Sequence, residues 1–224
     1  RCREKPFVPR DAELLAPLAA AHGHGFGVRW AEDRDQVFEM ALPEFLDYEK
    51  ERIDESIQRL GNLRGMHFSP MHASIFPNVS LLWQGGAIRV WHPKGPQLTE
   101  AWGWCFVDKA ASPEYKREKA LHMLQRHGTS GTWEADDVDN WVQCHSASEG
   151  YVARRYPQNL EMGLGDEIED PRSIHPDIRG RLGRFQSEIN QRGFYQHWAQ
   201  MMDDDTPPLV PDMSRKSCAS KESA

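Results

Sequence analysis

The sequence lacks paired cysteines. Cys2, Cys105, Cys144 and Cys218 are scattered, with no C-x-x-C or C-x-H spacing. That excludes a zinc ribbon or an iron–sulfur framework within the chain, and it reads as the reduced thiols of a cytoplasmic protein. Long apolar runs are missing too. The stretch L-L-A-P-L-A-A-A, residues 14–21, is short, broken by Pro17 and preceded by Asp11 and Glu13. It does not fit a signal peptide, and nothing approaches the length of a membrane span. There is no basic run and no basic–aromatic interleaving, and the net charge is -7, so nucleic acid is not an expected partner. No G-K-[ST] follows the glycines of H-G-H-G-F-G-V-R-W (residues 22–30), and H-E-x-x-H, G-x-S-x-G and cysteine–histidine nucleophile patterns are absent. Phosphate-loop, zinc-protease and common hydrolase chemistries lose their support. No internal repeat is present.

What remains is a chain of 224 residues with eight tryptophans, large enough to bury a core and rich in side chains that build apolar pockets. Residues 22–30 predict a glycine-rich turn entering a strand. Residues 34–60 carry helical spacing, broken near Pro43, with Phe45, Leu46, Ile53 and Ile57 as an apolar stripe. From Met66 to Val107 the character turns β-branched and aromatic: S-I-F-P-N-V-S-L-L-W, A-I-R-V-W-H-P and A-W-G-W-C-F-V-D. Q-G-G and P-K-G-P separate these runs, as in an antiparallel meander. Helical patterns return over residues 112–126, after the H-G-T-S-G turn, and over residues 185–202. There Phe185, Ile189, Tyr195 and Trp198 are expected near one another on a helical face. Helices flanking one antiparallel sheet define an α+β fold. Residues 1–202 are read as one domain and residues 203–224, acidic and then Pro- and Ser-rich, as a disordered tail.

The chemically loaded stretch is T-W-E-A-D-D-V-D-N-W, residues 132–141, with four carboxylates between two tryptophans. On a helix Trp133, Asp137 and Trp141 share a face, while Asp136 shares another with Asn140, roughly 100° round. Acidic residues suit a first helical turn through the macrodipole. Asp137, however, lies on the aromatic face, where a buried carboxylate needs a cation, a metal or dense hydrogen bonding. Its possible co-ligands are few. His67 and His72 are five apart, which puts them on opposite faces of a strand unless Pro70 breaks it. His22 and His24 could share a strand face but lie among glycines. His92, in W-H-P, suits a strand end.

Four segments occur in one order: R-G-M-H…S-I-F-P-N-V-S-L-L, I-R-V-W-H-P-K-G-P, G-T-W-E-A-D-D-V-D-N-W and F-Q-S-E-I-N-Q-R-G-F-Y-Q-H-W-A-Q-M-M. Together they resemble the catalytic domain of the large (alpha) subunit of Rieske-type aromatic-ring-hydroxylating dioxygenases, over roughly residues 20–202. The resemblance implies a helix-grip (START-like) fold, an antiparallel sheet around a long helix. It also implies a mononuclear non-haem Fe(2+) held by two histidines and one aspartate. The family's aspartate falls on Asp137, which is then expected to turn inward, with Asp136 and Asp139 on the solvated side. The substrate pocket falls on Trp133 and on Gln84, Gly85, Ala87 and Val90. His127 falls near a further lining position that many relatives fill with an apolar residue.

The family's Rieske domain, with its [2Fe-2S] cluster, does not occur in this sequence, nor does its pair of closely spaced iron-binding histidines. Arg1 as first residue fits a fragment whose two histidine ligands lie upstream. The intact protein is expected to be a terminal oxygenase that takes electrons from NAD(P)H through a reductase and ferredoxin. It would add O2 to an aromatic ring, giving a cis-dihydrodiol in aromatic hydrocarbon catabolism. Its expected assembly is a trimer of alpha subunits, alone or with small beta subunits. The competing expectation is a non-catalytic helix-grip module that holds an apolar ligand without metal.

Overall fold

The computed structural model describes residues 15–30, 42–83, 86–157, 159–168, 170–173, 175–184 and 187–203. Its strands are β1 (Leu15–Ala19), β2 (Gly25–Trp30), β3 (Phe68–Ile75), β4 (Val79–Leu82), β5 (Ala87–Gly95), β6 (Leu98–Cys105) and β7 (Arg181–Leu182). Its helices are α1 (Leu46–Asn62), α2 (Pro113–His127), α3 (Glu134–Ser148) and α4 (Ile189–Met202). The strands form one sheet in the order β6-β5-β4-β3-β2-β1-β7, and each of its pairs is antiparallel. This is the expected α+β, helix-grip arrangement.

The local causes are readable. Ser112 caps α2 by accepting a hydrogen bond from the Tyr115 N–H at 3.1 Å, and Pro113 stands at its start, where its fixed φ suits a first helical turn. The run S-I-F-P-N-V-S-L-L-W is two strands, because residues 76–78 turn the chain and Ile75 pairs with Val79. β1 falls where Pro17 argues against a strand, and β7 is a two-residue strand without an alternating pattern to announce it. Neither was expected.

At the β1–β2 end a core forms from Leu18, Val28, Leu63, Ile178 and Leu182, with Phe26 and Ile168 packed on it. Each such side chain contributes about 1.5–3 kcal/mol on burial. α1 brings a half-buried stripe of Leu46, Ile53 and Ile57. Its first turn docks on α2, with the rings of Phe45 and Tyr48 at 5.2 and 4.7 Å from that of buried Tyr115. The Tyr115 hydroxyl donates to Glu49, which also takes Arg52 Nη1 at 2.5 Å, and Tyr48 donates to Asp108 at 2.7 Å. Burial, reinforced by Asp108, pushes the Tyr48 hydroxyl up to about 12, so it remains a donor at any physiological pH.

α4 approaches the sheet through positions without side chains. A Cβ at Gly25 would stand 3.0 Å from Asn190 Cβ, whose amide donates to the Phe26 carbonyl at 3.1 Å. At its first turn Arg192 pairs with the nearly buried Glu167 and donates to the Leu160 carbonyl at 2.6 Å. Ile189, Tyr195 and Trp198 do not form the expected common face of α4. Ile189 is fully buried, while Tyr195 and Trp198 are about half exposed. The 100° helical step puts them about 120° and 180° from Ile189. Phe185, the tail from residue 204 onward, residues 1–14 and the N-terminal part of the expected 34–60 helix (residues 34–41) lie outside the described residues. No helix among the described residues is long and apolar enough to cross a membrane.

Gly23 tests the α4 contact. It has φ +73, and an added Cβ would lie 2.9 Å from His197 Cβ. Gly23→Ala is expected to lower stability by about 1–3 kcal/mol in urea denaturation. A loss under about 0.5 kcal/mol, the usual scale of neutral surface changes, would refute the close approach.

Candidate functional site

Strand alternation sorts β5 into two faces. Ala87, Arg89 and Trp91 point one way, Ile88, Val90 and His92 the other. The first face receives α2 and α3. Arg89 Nη2 donates to Glu134 Oε1 at 2.7 Å and to the His127 carbonyl at 2.6 Å. His127 Nδ1 lies 3.4 Å from the same Glu134 oxygen. One strand residue thereby ties together the last residue of α2 and the first of α3. Trp91 adds a second tether, its ring 5.4 Å from that of Trp141, and its indole N–H donates to Ser80 at 2.8 Å.

The Arg89 and Glu134 side chains are each 15% exposed. A half-buried pair of this kind is costly to break from one side, because the remaining charge keeps its desolvation penalty. Burial pushes the His127 imidazole below its usual range, and the Glu134 hydrogen bond and charge pull the other way. His127 is therefore largely neutral near pH 7. With a carboxylate beside Nδ1, the favoured tautomer carries its proton there.

Trp133 and His127, both expected at the pocket, do come together, with their rings edge to face at 5.3 Å. Arg126 covers the Trp133 ring, its guanidinium 4.8 Å from the centroid, a cation–π contact. Ala87 is buried on the same strand face as Arg89. Val90 does not join them. It faces the opposite side of β5, level with Trp102 across the β5–β6 ladder, because a residue one step from Arg89 must point the other way. Gln84 and Gly85 lie outside the described residues.

Asp137 sits in the first turn of α3 and is exposed, as is every residue from Ala135 to Ser148. Its expected burial is not seen in this chain. α3 meets the sheet through Glu134 and Trp141 rather than through a broad packed face. The direction is nevertheless informative. Taking the line from Glu134 to Trp141 as the sheet-facing side, the helical step puts Asp137 about 50° from it, and Asp136 and Asp139 about 150° away. Asp137 is the carboxylate on the sheetward flank.

The histidines do not complete a ligand set. His72 lies over Gly27, whose absent Cβ would stand 2.1 Å from its ring. His22 and His24 stand at the β1–β2 turn. Among the described residues no group of three or more His, Cys, Asp or Glu is placed to hold a metal ion. Cys105 and Cys144 are exposed free thiols.

A seven-stranded antiparallel sheet with an acidic helix clamped to one face matches a known class of oxygenase domain. The chain belongs to the ring hydroxylating alpha subunit (catalytic domain) family, whose model matches residues 13–204. It is 35% identical over 191 residues to the biphenyl dioxygenase subunit alpha of Paraburkholderia xenovorans, covering 83% of this chain and 40% of that subunit. To the benzene 1,2-dioxygenase subunit alpha of Pseudomonas putida it is 34% identical, covering 87% of this chain and 45% of the relative. The crystal structure of naphthalene 1,2-dioxygenase from Rhodococcus sp. bound to indole superposes with a TM-score of 0.68 at 27% identity, covering 91% of this chain and 48% of that one. The chain thus spans less than half the length of these proteins.

The Arg89–Glu134 tether gives a direct test. Arg89→Met is expected to cost roughly 3 kcal/mol, the scale for orphaning a half-buried charge. Adding Glu134→Gln should recover part of that loss, with a coupling of about 1 kcal/mol or more in a double-mutant cycle. Additive losses would show that the pair does not hold α3.

Proposed function

We propose that the intact protein is the large subunit of a terminal oxygenase that adds O2 to an aromatic ring. The observation that carries this is the T-W-E-A-D-D-V-D-N-W motif. It lies inside a family match of residues 13–204, with Trp133 and His127 in ring contact and Asp137 on the sheetward flank of α3. The donor chemistry fits in part. A facial set of two histidines and one carboxylate is the usual non-haem iron ligation, and Asp137 can supply the carboxylate. The histidines would come from sequence upstream of Arg1.

An iron(II) ion held in this way supplies dioxygen activation beside the bound ring. The chain's own residues do the rest. Asp137 contributes an anionic oxygen at the start of α3, and the Arg89–Glu134–His127 knot fixes where that helix begins. Trp133, steadied between His127 and Arg126, forms a flat apolar wall against which an aromatic ring can lie. Ala87 leaves room on the strand side. The reading includes a [2Fe-2S] Rieske cluster in a separate domain, with ferredoxin or reductase delivering electrons from NAD(P)H. It also includes a cis-dihydrodiol product and an assembly of three alpha subunits, with or without small beta subunits.

In the full-length protein, Asp137→Ala is expected to abolish both iron retention after desalting and product formation, whereas Asp139→Ala keeps the metal. Metal analysis that finds stoichiometric iron in the Asp137→Ala protein would overturn the assignment. Trp133→Ala should shift product regiochemistry rather than abolish turnover, since an apolar contact is worth about 1–3 kcal/mol. Unchanged product ratios would remove Trp133 from the slot.

A further inference from the structure

Three imidazoles meet where α4 crosses the β1–β2 turn. The His22 ring lies 6.4 Å from that of His24 and 5.8 Å from that of His197 on α4. His22 itself adopts φ 60, in the left-handed region. The Phe76 ring stands 4.8 Å from His197, and the Phe76 backbone N–H donates to His24 Nδ1 at 3.0 Å. His197 Nδ1 lies 3.4 Å from Gln200 Oε1 on its own helix. Gly23 brings the backbones so close that no side chain can separate the turn from the helix.

The His24 bond has a chemical consequence. A ring nitrogen that accepts a backbone N–H carries no proton, so His24 becomes an imidazolium only by giving up its bond to Phe76. The titratable groups that bear on it are His22, from its own turn, and His197, from α4. The β3–β4 turn brings the uncharged Phe76 ring and N–H to this contact. Charging His24 therefore breaks its hydrogen bond to Phe76 and places a charge beside the imidazoles of the helix–turn contact.

We propose that this histidine junction is an acid-sensitive latch, in which the neutral His24 imidazole holds the contact with the C-terminal half of α4 and its protonation releases it. Burial lowers the pKa of His24, and His22 and His197 lower it further. The sign follows. With the folded-state pKa below the ordinary value of about 6.5, the latch is complete above that pH and is lost as pH falls toward the lowered value. The first turn of α4 stays anchored by the Arg192–Glu167 pair, so opening is local rather than global.

Hydrogen exchange on the intact protein, corrected for intrinsic amide rates, tests this. Protection of residues 193–202 should fall about tenfold between about pH 7.5 and 5.5, while β3–β4 amides change less than about twofold. His24→Asn, which keeps an acceptor for Phe76 without a titrating ring, and His197→Gln should each reduce the pH response to under about threefold. Constant protection in the parent protein would overturn the latch, as would an undiminished response in both variants. Where a variant fails to fold, the His24 ring is followed by NMR in the parent protein. Titration at or above about 6.5 refutes the proposal, and a lower value supports it.

Discussion

The candidate site depends on one half-buried ion pair. Arg89 reaches from the sheet to Glu134 and to the His127 carbonyl, and in doing so decides where α2 stops and α3 starts. Without it the loop 128–133 would have two helix ends to place and little apolar surface to place them with, since α3 contributes no buried residue. The desolvation of two charged groups is offset here by two short hydrogen bonds from one guanidinium nitrogen, one of them to the Glu134 carboxylate. Trp133, Asp137 and Trp141 then take their directions from the helical period.

The other helices are held by different means, which explains their different tolerance. α1 and α2 share a network of tyrosines, Glu49, Arg52 and Asp108, partly exposed and thus screened. α4 is held by missing side chains at Gly23 and Gly25 and by the Arg192–Glu167 pair. Close backbone approach is unforgiving, because overpacking cannot relax into solvent. The domain therefore joins α3 by charge, α1 and α2 by a polar network, and α4 by shape together with one ion pair.

Much of this was legible in the sequence. β-branched and aromatic runs marked β5 and β6, and the helical pattern over residues 112–126 marked α2. The spacing within T-W-E-A-D-D-V-D-N-W separated Asp137 from Asp136, and the observed helix gives the two carboxylates different directions even though its face is open. Other features were hidden for physical reasons. Pro17 disguised β1, and β7 is too short to have a period. The sidedness of Val90 became clear only once Arg89 was seen to meet α3. The role of Glu134 looked like simple complementarity to the helix dipole. Its partner lies 45 residues away, and local periodicity carries no information about that distance.

Among the described residues the sheet ends on β6, with all eight strand residues exposed and pairing along one side, to β5. Such an edge offers unpaired backbone groups to any extended peptide, and Trp102 and Trp104, each about half exposed, would strengthen the contact. The chain carries its own guards. The register of β5 against β6 shifts between Pro93 and Gly95, and Lys94 pairs with Glu100 at 3.1 Å. The register shift beside Pro93 on β5 and the Lys94–Glu100 pair that bridges β5 to β6 interrupt, at that end, the flat template that strand-to-strand association needs. The opposite end, Trp102 to Cys105, carries no such guard among the described residues, which makes it the part of this edge most open to strand pairing.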